Sequence, residues 1–96
     1  MMQVLFNIPG PLRDFTQNRS GVRVDVKAGA DLLKALQVLF TAYPGLRDRI
    51  LTEAGEVREH VNIFVANEDV RYTGGLATTI PPGVEVSIVP AISGGL

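Results

Sequence analysis

The chain has no cysteine, one histidine, two lysines and no surplus of either charge. Without cysteine it contains no disulfide, no thiolate nucleophile and no cysteine-based metal site, which fits a reducing compartment. The single histidine, His60, has no serine-acid pattern beside it and makes neither a triad nor a metal centre. A place at a strand edge is expected for it. Nine basic residues stand against ten acidic ones, a formal charge of −1, and neither sign forms a run. The electrostatic footprint of a nucleic-acid binder is therefore missing, and nucleic acid is not an expected partner. The N-terminal residues hold neither a basic leader nor an apolar run long enough for a signal peptide or a membrane span. The expectation is a cytoplasmic protein, unprocessed at that end, with no membrane partner.

What is present suffices for one core. A chain of 96 residues, 46% of them apolar, reads as one ordinary globular domain that needs neither disulfide nor metal to hold it. Val4, Phe6 and Ile8 share one face at the strand period of two, and Val22, Val24 and Val26 repeat the pattern. Two half-buried strands result, joined by a polar loop over residues 9–21 that is long enough to be mobile. From Asp31 the period changes. Leu32, Leu33, Leu36, Leu39, Phe40 and Tyr43 form one helical stripe, Asp31 is placed to cap it, and Pro44-Gly45 stops it. Residues 46–51 suit a further short helical turn.

Val61, Ile63 and Val65 alternate again, with a turn expected at Asn67-Glu68-Asp69 and a short strand at Val70-Arg71-Tyr72. Pro81-Pro82-Gly83 then launches a last strand through Val84, Val86 and Ile88 to Pro90. The order is ββαβ(β)β, an α+β roll with one main helix on one face of a four- to five-stranded mixed sheet. Several topologies fit that pattern. The expected core is Val4, Phe6, Ile8, Val22, Val24, Val26, Leu32, Leu36, Phe40, Ile63, Val65, Val86 and Ile88. Leu5, Phe64 and Val89 fall on the opposite sheet face, where an apolar patch suggests a partner-docking surface.

The most telling segment is the last one, Ala91-Ile92-Ser93-Gly94-Gly95-Leu96. The division expected is a folded body over residues 1–90 and a flexible tail over residues 91–96. Two adjacent glycines lack Cβ atoms, so the backbone of Gly94 and Gly95, with Ser93 before them, can lie in a slot too narrow for other residues. Six extended residues reach at most about 20 Å. Such a tail is shaped to enter an enzyme. Gly74-Gly75 has a blander reading as turn glycines, since no Gly-Lys-Ser/Thr run follows it. Glu68 and Asp69 are adjacent on an extended chain, point apart, and form no carboxylate pair.

The block from His60 to Tyr72 (His-Val-Asn-Ile-Phe-Val-Ala-Asn-Glu-Asp-Val-Arg-Tyr), Thr73-Gly74-Gly75-Leu76-Ala77-Thr78 and the final strand with its Gly-Gly resemble the ubiquitin-like sulfur carriers of the MoaD/ThiS type, closest to the cysteine-biosynthesis branch. The resemblance covers essentially the whole chain. It implies a β-grasp, with the last strand parallel to the first at the sheet centre. It also implies chemistry in which Gly95 is adenylated by an E1-like enzyme with ATP and magnesium, and a sulfur donor then displaces AMP to leave a thiocarboxylate. The carrier itself holds no cofactor and no metal, has no catalytic residue, and is a co-substrate and not an enzyme. Its acceptor is a PLP-dependent cysteine synthase, or the molybdopterin synthase large subunit, or a thiazole precursor as in the wider family. Two other readings stay open, a modifier joined through Gly95 to a lysine of a target and a plain binding module. The scarcity of lysine, Lys27 and Lys34 alone, argues against chain-building modification.

One departure stands out. Carriers of this family end on the second glycine, whereas this chain continues to Leu96. Leu96 is either removed, for which the resemblance offers the zinc-dependent JAMM-type peptidases that cleave after Gly-Gly, or a residue appended in cloning.

Overall fold

The computed structural model describes residues 1–90. The first alternating run becomes β1, Met2–Asn7, and the second β2, Gly21–Val26, antiparallel neighbours from Met2 opposite Val26 to Asn7 opposite Gly21. The segment between them is built, contrary to the mobile loop expected. Gly10–Phe15 forms a 3-10 turn that buries Leu12, and Thr16 is buried just after it. Arg13 Nε donates to the Ile8 carbonyl at 3.0 Å, and Thr16 Oγ1 donates to that of Arg19 at 2.9 Å.

Helix α1, Leu32–Ala42, starts where the Asp31 carboxylate accepts from the Lys34 amide at 3.0 Å. Its buried stripe is Leu32, Ala35, Leu36 and Leu39, with Phe40 and Tyr43 half-buried at its margin. A 3-10 turn at Pro44–Leu46 and the short helix α2, Arg47–Ile50, follow. Leu46, Ile50 and Leu51 from this stretch, and Ile80 from the last loop, enter the core almost completely. Ile80 sits in no periodic run, and the turn over residues 46–51 is too short for its pattern to reveal which side is buried.

Strand β3, Val61–Val65, buries alternate residues as expected. After it the structure departs from the sequence reading. The turn is made by Ala66 and Asn67, both left-handed (φ 52° and 70°), so Glu68–Asp69 already returns as the two-residue strand β4. Val70–Tyr72 is a 3-10 turn and not a strand. Its cause is local: the Asp69 carboxylate accepts from the Arg71 amide at 2.9 Å, which bends the chain and drops Val70 into the core. Gly74 and Gly75 are turn glycines, with φ of 119° and 60°.

Strand β5, Glu85–Pro90, closes the sheet in the order β2-β1-β5-β3-β4. It runs parallel to β1, with Ser87 level with Asn7, and antiparallel to β3, from Val65 opposite Val86 to Val61 opposite Pro90. This is the β-grasp, α+β, with five strands and one main helix covering one face. The expected core residues are buried apart from the half-buried Phe40. Among the described residues no helix is long and apolar enough to cross a membrane.

Candidate functional site: the open sheet face and the root of the tail

Val4 and Phe6, Val86 and Ile88, and Val61, Ile63 and Val65 point under the helix, so the residues between them form the other face. That face carries Gln3, Leu5 and Asn7 on β1, Glu85, Ser87 and Val89 on β5, and Asn62 and Phe64 on β3. All three residues expected to form the docking surface lie here. Leu5 and Phe64 are half-buried and Val89 is 44% exposed.

The register separates them into two groups. Phe64 faces Ser87 and Val89 faces Asn62, which makes Phe64 and Val89 diagonal neighbours, about 7–8 Å apart on such a ladder. Leu5 lies on β1, opposite Arg23 and Glu85. Its Cδ1 leans toward β2, where a Cβ added at Gly21 would approach it to 3.3 Å. Between the groups Asn7 Nδ2 donates to Ser87 Oγ at 3.1 Å. The surface is thus an apolar pair at one end, a polar bridge in the middle and a single leucine beyond.

Val89 immediately precedes Pro90, the last described residue, so the apolar pair adjoins the point from which the C-terminal segment departs. Arg71 braces that point from the other side of β3. Its guanidinium donates to the Glu59 carbonyl at 2.8 Å and to the Val61 carbonyl at 3.4 Å. Nothing in residue type alone signals this role, because the bond runs to main-chain oxygens. Tyr72 beside it is 86% exposed, an aromatic ring that the strand expected there did not single out. His60, expected at a strand edge, is exposed in the turn just ahead of β3, beside Arg58, Asp48 and Arg49. Among the described residues no group of three or more His, Asp or Glu side chains is gathered to hold a metal. Ser93, Gly94, Gly95 and Leu96, the residues expected to enter and react in an enzyme, lie outside the described residues.

The chain is similar to known proteins along nearly its whole length. The ThiS family profile matches residues 6–95. The sulfur carrier protein CysO of Mycobacterium tuberculosis (strain ATCC 25618 / H37Rv) is 40% identical over 97 aligned positions, covering 98% of this chain and all of that protein. Small archaeal modifier protein 3 of Haloferax volcanii is 38% identical over 74 positions, 76% of each chain. Among solved structures, a chain of the Amycolatopsis orientalis BexX/CysO complex superposes with a TM-score of 0.83 at 32% identity, covering 96% of this chain and 99% of its own.

Proposed function

The chain belongs to the ThiS family, and from that premise we propose that it carries sulfur as a thiocarboxylate on Gly95. Its likeness to a sulfur carrier and to an archaeal modifier places it among sulfur carriers or ubiquitin-like modifiers. The carrier reading is favoured because the sequence likeness to CysO, 40% identity, spans the whole chain, while the sequence match to the modifier covers 76% of it. Whole-length likeness to a sulfur carrier is the observation that carries the proposal.

A carboxylate is a weak electrophile at neutral pH and must first be activated. An E1-like partner joins AMP to the Gly95 carboxylate using ATP, and a sulfur donor then displaces AMP. The resulting thiocarboxylate is ionised and strongly nucleophilic, so no side chain of the carrier has to activate it. The folded body supplies docking: Phe64 and Val89 seat on the partner beside the root of the tail, and the glycines thread inward. The protein acts as a co-substrate and not as an enzyme. Its acceptor in this reading is a PLP-dependent synthase of cysteine biosynthesis. A structure of a carrier of this kind complexed with BexX supports the idea that such chains dock on partner enzymes.

Mass spectrometry of the protein isolated from its own cells tests the proposal. Sulfur in place of oxygen at Gly95 is the expected result. A branched isopeptide through Gly95 would make it a modifier instead, and an unaltered terminus would leave a binding module.

A further inference from the structure

The sheet order gives β2 a neighbour on one side only, so among the described residues no strand covers its outer edge. Its inward hydrogen bonds alternate. The Ile8 amide donates to the Ser20 carbonyl at 2.8 Å, and the register carries that phase along the ladder, so Val22, Val24 and Val26 bond to β1. Gly21, Arg23 and Asp25 turn their N–H and C=O groups outward. These three residues are exposed, whereas the three valines are buried on the helix side.

A row of unpaired backbone groups is a template for another strand, and proteins commonly blunt such an edge with charge. Here the two charges have opposite signs. Arg23 and Asp25 lie two residues apart on the open face, and the one ion pair among the described residues joins Arg47 to Asp48, so neither has an ionic partner within its own chain. Such an edge repels most strands and fits an antiparallel copy of itself.

Sheet geometry selects one register. The valine face has to stay on the helix side, so a second β2 can slide only in steps of two residues. With Val24 opposite Val24 of the copy, Arg23 faces the copy's Asp25, Asp25 faces its Arg23, and Lys27 faces Gly21, which has no side chain to obstruct it. The backbones of those residues point outward, as a hydrogen-bonded pairing requires. Centring the pair on Arg23 sets arginine against arginine. Centring it on Asp25 sets aspartate against aspartate and Arg23 against Lys27, and like charges directly opposite are destabilising.

We propose that the β2 edge is a self-association surface, and that its partner is a second copy of this chain added antiparallel about Val24. The two-fold axis stands perpendicular to the sheet, so ten strands form one sheet with both main helices on one face. Val38 of α1, which is 38% exposed, shares a groove with Val26, the residue that the copy's Val22 then faces. Phe64 and Val89 lie on β3 and β5, beyond β1, and are left open by this pairing. The dimer turns both copies of that apolar pair the same way. It can therefore engage a partner at two points at once, which raises avidity without a new contact. Pairing through one short strand is a small contact, and the association is weak and reversible.

Sedimentation of the full chain from about 1 µM to about 1 mM tests this. The unsubstituted protein is expected to pass from monomer to dimer across that range. Arg23→Asp and Asp25→Arg each set like charges opposite one another twice by symmetry, and should weaken self-association at least about tenfold. Both positions are exposed, so the melting curve should not move. An equimolar mixture of the two variants should associate again, because one strand then carries two acids and the other two bases. The double reversal R23D/D25R should pair with itself as the unsubstituted chain does, and its net charge is the same. A chain that stays monomeric throughout, an Arg23→Asp variant that dimerises as tightly as the unsubstituted chain, or a double reversal that fails to associate overturns the proposal. None of these results touches thiocarboxylate formation at Gly95, which is measured separately.

Discussion

Phe64 shows what a single residue can decide here. Its neighbours Ile63 and Val65 are buried to within a few per cent, while Phe64 itself stands half-open beside Val89. Replacing it with lysine should leave the thermal midpoint nearly unchanged and weaken binding to the activating enzyme by about 2 kcal/mol or more, as for a buried aromatic anchor. Titration calorimetry and a melting curve read the two effects separately, and a collapse in melting would assign Phe64 to the core. At Gly95 the added methyl of Gly95→Ala would obstruct a passage suited to bare backbone. Folding should be intact and AMP release from the cognate enzyme abolished, and normal AMP release would remove Gly95 from the proposal. The place of Phe64 on the open face was legible from strand alternation, whereas Gly95, singled out by paired glycines after a strand, lies outside the described residues. The grouping of Phe64 with Val89 and not with Leu5 was not legible, because register across β5 is a property of pairing and not of any one strand.

At the level of elements, long periodic segments announced themselves. β1, β2, β3, β5 and α1 each carry enough repeats for the period to be counted, and α1 has its stop signal in Pro44-Gly45 as well. The stretch from Ala66 to Tyr72 did not, since a two-residue strand has no period. The deciding event there is a left-handed turn at Ala66 and Asn67, and alanine is not a residue that advertises it. The segment from Gly10 to Phe15 escaped for a related reason, as Pro9-Gly10-Pro11 reads as a loop while Leu12 alone carries the burial. The helix start is the element most open to a simple test. Asp31→Ala removes the acceptor of the Lys34 amide and should cost about 1 kcal/mol. For a domain of this size that is a fall of about 4–8 °C in thermal midpoint, measurable by calorimetry. No change would mean that packing of the α1 stripe alone sets where the helix begins.

On the scale of the whole molecule the family match ends at Gly95 and leaves Leu96 outside it. The proposed adenylation needs a free carboxylate on Gly95, and in this sequence a branched residue follows it. Offered side by side to the activating enzyme, the protein ending at Gly95 should release AMP and form thiocarboxylate, and the protein ending at Leu96 should not. Equal reaction of both, with sulfur on Leu96, would dispose of a processing step. The sheet order carries a different consequence, one for biosynthesis. β5 lies between β1 and β3, so the middle of the sheet joins residues as far apart in sequence as Asn7 and Ser87, 80 positions. Pairings of such separation close late and slowly. A nascent chain can form its first hairpin and its helix early, but β1 and β3 keep open inner edges until β5 is made. A product truncated before residue 85 therefore has no finished core and is open to proteolysis. Completion of the sheet is thus tied to synthesis of β5, the strand that joins β1 to β3.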